Sequence, residues 1–139
     1  MIWTVIWVGI VTAIAAYLLD YVLWTYVFTE GIGELSSMHA DKEKLKSQMP
    51  LMLAKSALNT LLFGIVFVMI YARLKDCLWA RGVLGGLEFG TILWLPTIAL
   101  SSIGSNIWLD RIRAAADANF WTWLIKLNVA GVIAALLIR

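Results

Sequence analysis

Four apolar runs, each long enough to cross a lipid bilayer as a helix, fill most of this 139-residue chain. They cover residues 2–29, 51–72, 82–103 and 120–138. A hydrocarbon core of about 30 Å needs about 20 helical residues. The composition agrees: 62% of residues are hydrophobic and 14% are charged, against about 25% charged in an ordinary soluble domain. The expected fold is therefore all-α, a four-helix transmembrane bundle with short loops, making one integral membrane domain over residues 1–139. The first run has no basic residue before Asp20 and outlasts a signal-peptide core, so it reads as a retained helix.

Several function classes fall away. A net charge of +2 with no basic stripe or tail gives no footing for nucleic acid. One cysteine, Cys77, forms no internal disulfide, and one histidine, His39, has no second imidazole within the chain with which to hold a haem, though a dimer would supply two. There is no Gly-rich phosphate loop, no His/Glu metal motif and no Ser–His–Asp order. No metal, cofactor or catalytic residue is assigned. The partners expected are the lipid bilayer and either further copies of the chain or a larger membrane complex.

The ends of the runs carry interface signals. Trp3 and Trp7 flank one end of the first run, Trp24, Tyr26 and Phe28 the other, and Trp121 and Trp123 open the fourth; aromatic side chains favour membrane–water boundaries. The first run is about 42 Å long as a helix, so it must tilt or protrude. Between the first two runs, residues 30–50 read as a solvated loop. Its charged segment 41–46 suits a helical extension with Asp41 as N-cap and Pro50 as a break or kink. Residues 108–113 separate apolar from basic side chains and suit a short interfacial helix. Pro96 predicts a kink in the third run. Four crossings place the loop 73–81 beside both termini. The basic residues on that side (Arg73, Lys75, Arg81, Arg139) nearly balance those opposite (Lys42, Lys44, Lys46, Arg111, Arg113). The crowding in loop 73–81 favours it as cytoplasmic, and the near-balance leaves dual topology open.

Polar groups inside the runs mark where to look for function. Asp20, Lys55, Asn59, Glu88 and Lys126 form the candidate polar cluster. A charged side chain at the bilayer centre costs about 2.5–3.5 kcal/mol on insertion scales, so pairing or neutralisation is expected. Asp20, Lys55 and Lys126 share one half of the membrane, which predicts an Asp20–Lys55 or Asp20–Lys126 pair. Glu88 lies about 10 Å inside the third helix, counted from Arg81. It is expected to face the bundle interior or a protomer interface, where burial without a partner favours the neutral acid. Gly82, Gly86 and Gly90, four apart, predict a ridge for close helix packing; the fourth run offers Ala130/Ala134 and Gly131/Ala135 at the same spacing, and the first offers Gly9, Ala13 and Ala16.

At LLDYVLWTYVF in the first run and GVLGGLEFGTILWLPTIALSS in the third, the chain resembles a family of small bacterial four-helix membrane proteins of unknown function. The resemblance implies the fold and a multi-pass place in a bacterial-type cytoplasmic membrane, and no activity. The patterns of fluoride channels and small multidrug exporters do not match. The leading expectation is a non-enzymatic membrane protein acting through the polar cluster or as an assembly partner. A homo-oligomeric transporter or channel for an ion, proton or solute, and a membrane enzyme on lipid or quinone, remain as alternatives.

Overall fold

The structure, a computed structural model, describes residues 2–37, 42–108 and 113–138. Helices account for nearly all of them, and there is no strand among the described residues. Helix α1 (Ile2–Val22) continues into a widened π-type segment, Leu23–Val27, and α2 (Thr29–Ser37) follows. Helix α3 (Lys42–Leu74) ends in a 3-10 turn, Lys75–Cys77. Helix α4 (Gly82–Trp94) passes through a second π-type segment, Leu95–Ala99, into α5 (Leu100–Trp108), and α6 (Arg113–Leu137) closes the fold. Four stretches are long and apolar enough to cross a membrane: Ile2–Val27, Ser47–Cys77, Gly82–Gly104 and Arg113–Leu137.

The bundle is built from two helix pairs, α1 with α3 and α4 with α6, joined where α1 meets α6. Each pair is seamed by residues that lack side-chain bulk. A Cβ on Gly9 would stand 2.7 Å from the Ile65 backbone, and one on Gly64 would run into the Gly9 carbonyl and stand 2.8 Å from the Ala13 nitrogen. Gly86 and Gly131 are in mutual contact in the second pair, and a Cβ on Gly90 would come within 2.5 Å of the Leu127 carbonyl. Small residues let helix backbones approach closely where lipid offers no hydrophobic drive between helices. Between the pairs, the core is aromatic: Phe89 of α4 packs edge-on against Phe67 and Tyr71 of α3, with ring centroids 5.1 and 5.3 Å apart.

Both π-type segments have local causes. Phe28 N–H bonds back five residues to Leu23 O at 2.8 Å, unwinding the end of α1 before α2 turns away. In the other, Pro96 cannot donate to the ladder. There the Leu100 N–H reaches Leu95 O, and the Thr97 hydroxyl donates to Leu93 O at 2.5 Å. Such rearrangements re-satisfy backbone groups freed by a proline.

Three expectations about boundaries change. Residues 30–50 are largely helical, because α2 and the start of α3 occupy them, and Pro50 lies inside α3 rather than ahead of it. The early turns of α3 are exposed throughout residues 47–59, which leaves room for the Pro50 ring within the helix. The fourth long helix begins at Arg113, well before 120, because the alanine-rich segment 114–118 packs inward. The interfacial helix expected over 108–113 is not a separate element where it is described: Trp108 ends α5 and Arg113 begins α6. Residues 109–112, the N-cap assigned to Asp41 and the loop histidine His39 lie outside the described residues.

Candidate functional site

Asp20 and Lys126 meet at the joint between the two helix pairs. The Lys126 ammonium donates to both carboxylate oxygens of Asp20, at 3.0 and 2.9 Å. Its side chain is 7% exposed, that of Asp20 28%. Trp123 precedes Lys126 by three residues, so both occupy one face of α6. The ammonium therefore lies 3.6 Å from the Trp123 ring centroid, a close cation–π contact. Phe63 of α3 packs edge-on to the same ring at 5.5 Å. One lysine thus ties α1 to α6 electrostatically, and its aromatic seat ties α6 to α3.

Lys55 does not compete for Asp20. It lies nine positions before Gly64, hence about 180° round α3 from the seam with α1. Lys55 and Asn59 are both exposed and stand apart from the clasp. The single polar cluster expected from the sequence is thus divided, with only Asp20 and Lys126 brought together.

Glu88, expected to face the bundle interior or a protomer interface, meets the connection that precedes α4. It is half-buried, and its two oxygens accept the backbone N–H groups of Trp79 and Ala80 at 3.1 and 2.8 Å. The connection folds back along the first turns of α4. Gly85 permits this, since a Cβ there would stand 2.6 Å from the Ala80 carbonyl. The premise of burial without a partner therefore does not hold: the loop descends to the acid.

The glycine ridge is corrected at one end. Gly86 and Gly90 face α6, but nothing approaches the position of a Cβ on Gly82 within 4 Å. Gly82 has φ +59°, a left-handed conformation that lets the chain turn into α4. Beside that seam, the Thr91 hydroxyl donates to the Asn128 side-chain oxygen at 3.2 Å, and the Asn128 amide donates to Leu124 O at 2.8 Å.

Sequence reasoning missed Trp123 as the seat of the ammonium, although its i, i+3 spacing from Lys126 was the available signal. It also missed Gly64, the one glycine of the second apolar run. Thr12 and Thr122 are fully buried, and their hydroxyls have no hydrogen-bond partner. Neither stood out in the sequence, since threonine is ordinary in apolar helices. Among the described residues, no three His, Cys, Asp or Glu side chains converge on one point.

No protein-family model, curated protein or solved structure matches the chain.

Proposed function

We propose that this is a multi-pass integral membrane protein of a bacterial-type cytoplasmic membrane, acting as a non-enzymatic assembly partner. The four long helices support insertion: only 22 to 33% of their most apolar windows is buried within the protein. Bulky side chains such as Trp3, Ile14, Leu58, Leu62 and Leu100 point outward instead. Lipid is the medium in which that surface is stable.

The observation that carries the assembly reading is the closure of the Asp20–Lys126 clasp. Its charges satisfy each other and an aromatic ring, leaving neither free to coordinate a passing ion. A transported ion or proton needs a succession of polar groups across the membrane. Among the described residues, the other buried polar ones, Thr12, Thr60, Ser102 and Thr122, are hydroxyl-bearing and contribute no charge. The clasp fixes the angle between two helix pairs and so presents a defined apolar exterior to another copy or a larger complex.

Proteoliposomes test this. The protein is expected to resist alkaline carbonate extraction, and proton and potassium leak to match that of protein-free vesicles. Flux above that background, lost in Lys126→Met, would overturn the assembly reading in favour of a transporter. Extraction by carbonate would overturn membrane insertion itself.

A further inference from the structure

A groove of about 310 Å³ opens sideways between α3 and α4, with α6 as its floor. Phe63, Phe67 and Ile70 form one wall, Leu93 and Ile98 the other, and Trp123 lies at the base. The two walls belong to different helix pairs, so the groove follows from the two-pair construction. It is apolar along its length, and its mouth faces the surroundings rather than another helix.

The face of α3 that lines the groove continues beyond it to two polar residues. At about 100° per residue, Asn59 falls within the arc spanned by Val66, Ile70, Phe63 and Phe67, and Lys55 lies within about 20° of its edge. They stand about 6 Å and 12 Å along the helix axis from Phe63. Both are exposed, and the clasp uses neither. A second groove, between α1 and α3, is of similar size at about 260 Å³. It has no charged residue among its lining residues Ile10, Ala13, Tyr17, Leu18, Ala57 and Leu61. Neither lining is charged, but of these two grooves it is the α3/α4 groove whose α3 face meets a cation, Lys55, within about two turns.

We propose that this groove holds one anionic glycerophospholipid, with an acyl chain between α3 and α4 and the headgroup phosphate at Lys55 and Asn59. The proposal rests on the membrane reading above. An acyl chain matches an apolar channel open to the bilayer. A phosphate matches an amide donor and an ammonium one and two turns beyond that channel. Basic side chains at the membrane surface attract anionic lipid, and a long lysine arm can rise to the headgroup level while its stem covers apolar surface. The lipid would span α3 and α4, which otherwise meet through aromatic side chains, and would press on the ring that seats Lys126.

Native mass spectrometry of the full chain tests the proposal. The protein is released from bilayers of phosphatidylglycerol and phosphatidylcholine mixed equally, after carbonate extraction has verified insertion. The expected result is one retained phosphatidylglycerol per chain, favoured over phosphatidylcholine. Lys55→Gln should cut that preference about fivefold, the effect of one lysine near an anionic surface, and Lys55→Arg should keep it. Val66→Trp, an exposed position on the groove wall, should reduce retention of both lipids by filling the channel. Equal retention of the two lipids, or a preference unchanged in Lys55→Gln, would overturn the site while leaving the inserted protein intact. Failure of insertion would instead overturn the reading beneath it.

Discussion

The glycine seams and the charged joint hold the same helices by opposite means. Along the seams, α1 lies on α3 and α4 on α6 because atoms are missing. At the joint, α1 and α6 are held because two charges are present. A seam is harmed by any added atom, since backbone lies where a Cβ would go. The joint should be harmed by losing one charge and much less by losing both together. The first kind of contact specifies how close two helices come; the second specifies which residue faces which.

The joint should give the largest effect. Asp20→Asn leaves the Lys126 ammonium buried without its counter-charge, and breaking a buried pair from one side costs about 3–5 kcal/mol. Lys126→Met should cost less, because the Asp20 carboxylate left behind is 28% exposed and reaches solvent or headgroups. The double variant Asp20→Asn/Lys126→Met should recover most of the loss. Unfolding in mixed micelles, followed by circular dichroism against denaturing detergent, would measure all three. A double variant as weak as Asp20→Asn alone would show that the clasp is more than a charge pair.

The seam comes next. Gly86→Val drives a branched side chain into the Gly131 carbonyl and should cost about 1–3 kcal/mol, the range for overpacking a core. Gly82→Ala meets no neighbour and should cost about 1–2 kcal/mol, for its left-handed backbone alone. The same unfolding assay separates them, because only Gly86→Val should also loosen α4 from α6. Disulfide trapping between cysteines introduced at Thr91 and Asn128, in a Cys77→Ser background, would report that loosening. Equal trapping in both glycine variants would break the distinction between seam and turn.

Glu88 should show the smallest effect. Glu88→Gln retains one acceptor for the two N–H groups of Trp79 and Ala80, so about 1 kcal/mol is lost with one hydrogen bond. Its mark should be local, read as faster amide hydrogen exchange at Trp79 and Ala80 with the rest of the chain unchanged. A global rise in exchange would place Glu88 among the determinants of the whole bundle.

Much of the architecture was legible in residue order. Run length marked four long helices, and Pro96 marked a distortion. The charge cost demanded a partner for Asp20, and depth narrowed that partner to Lys55 or Lys126. The choice between the two was not legible, because it depends on which way each helix is turned about its axis. Gly82 and Gly86 look alike in sequence, and only the path of the chain before α4 makes one a turn and the other a seam. Position along the helix puts Glu88 well inside the third run, and only the path of the backbone brings the loop back to meet it.

By itself, then, the sequence determined the all-helical class, the long apolar segments and the need to neutralise the charges within them. These are properties of single residues and local runs, set by hydropathy, backbone hydrogen bonding and the cost of burying charge. Only the tertiary structure decided the two-pair arrangement, the Asp20–Lys126 clasp on its Trp123 seat, the loop bonds of Glu88 and the groove below Lys55. Each depends on helix rotation and on contacts between residues far apart in the chain, where many pairings satisfy the same local preferences and close packing selects one.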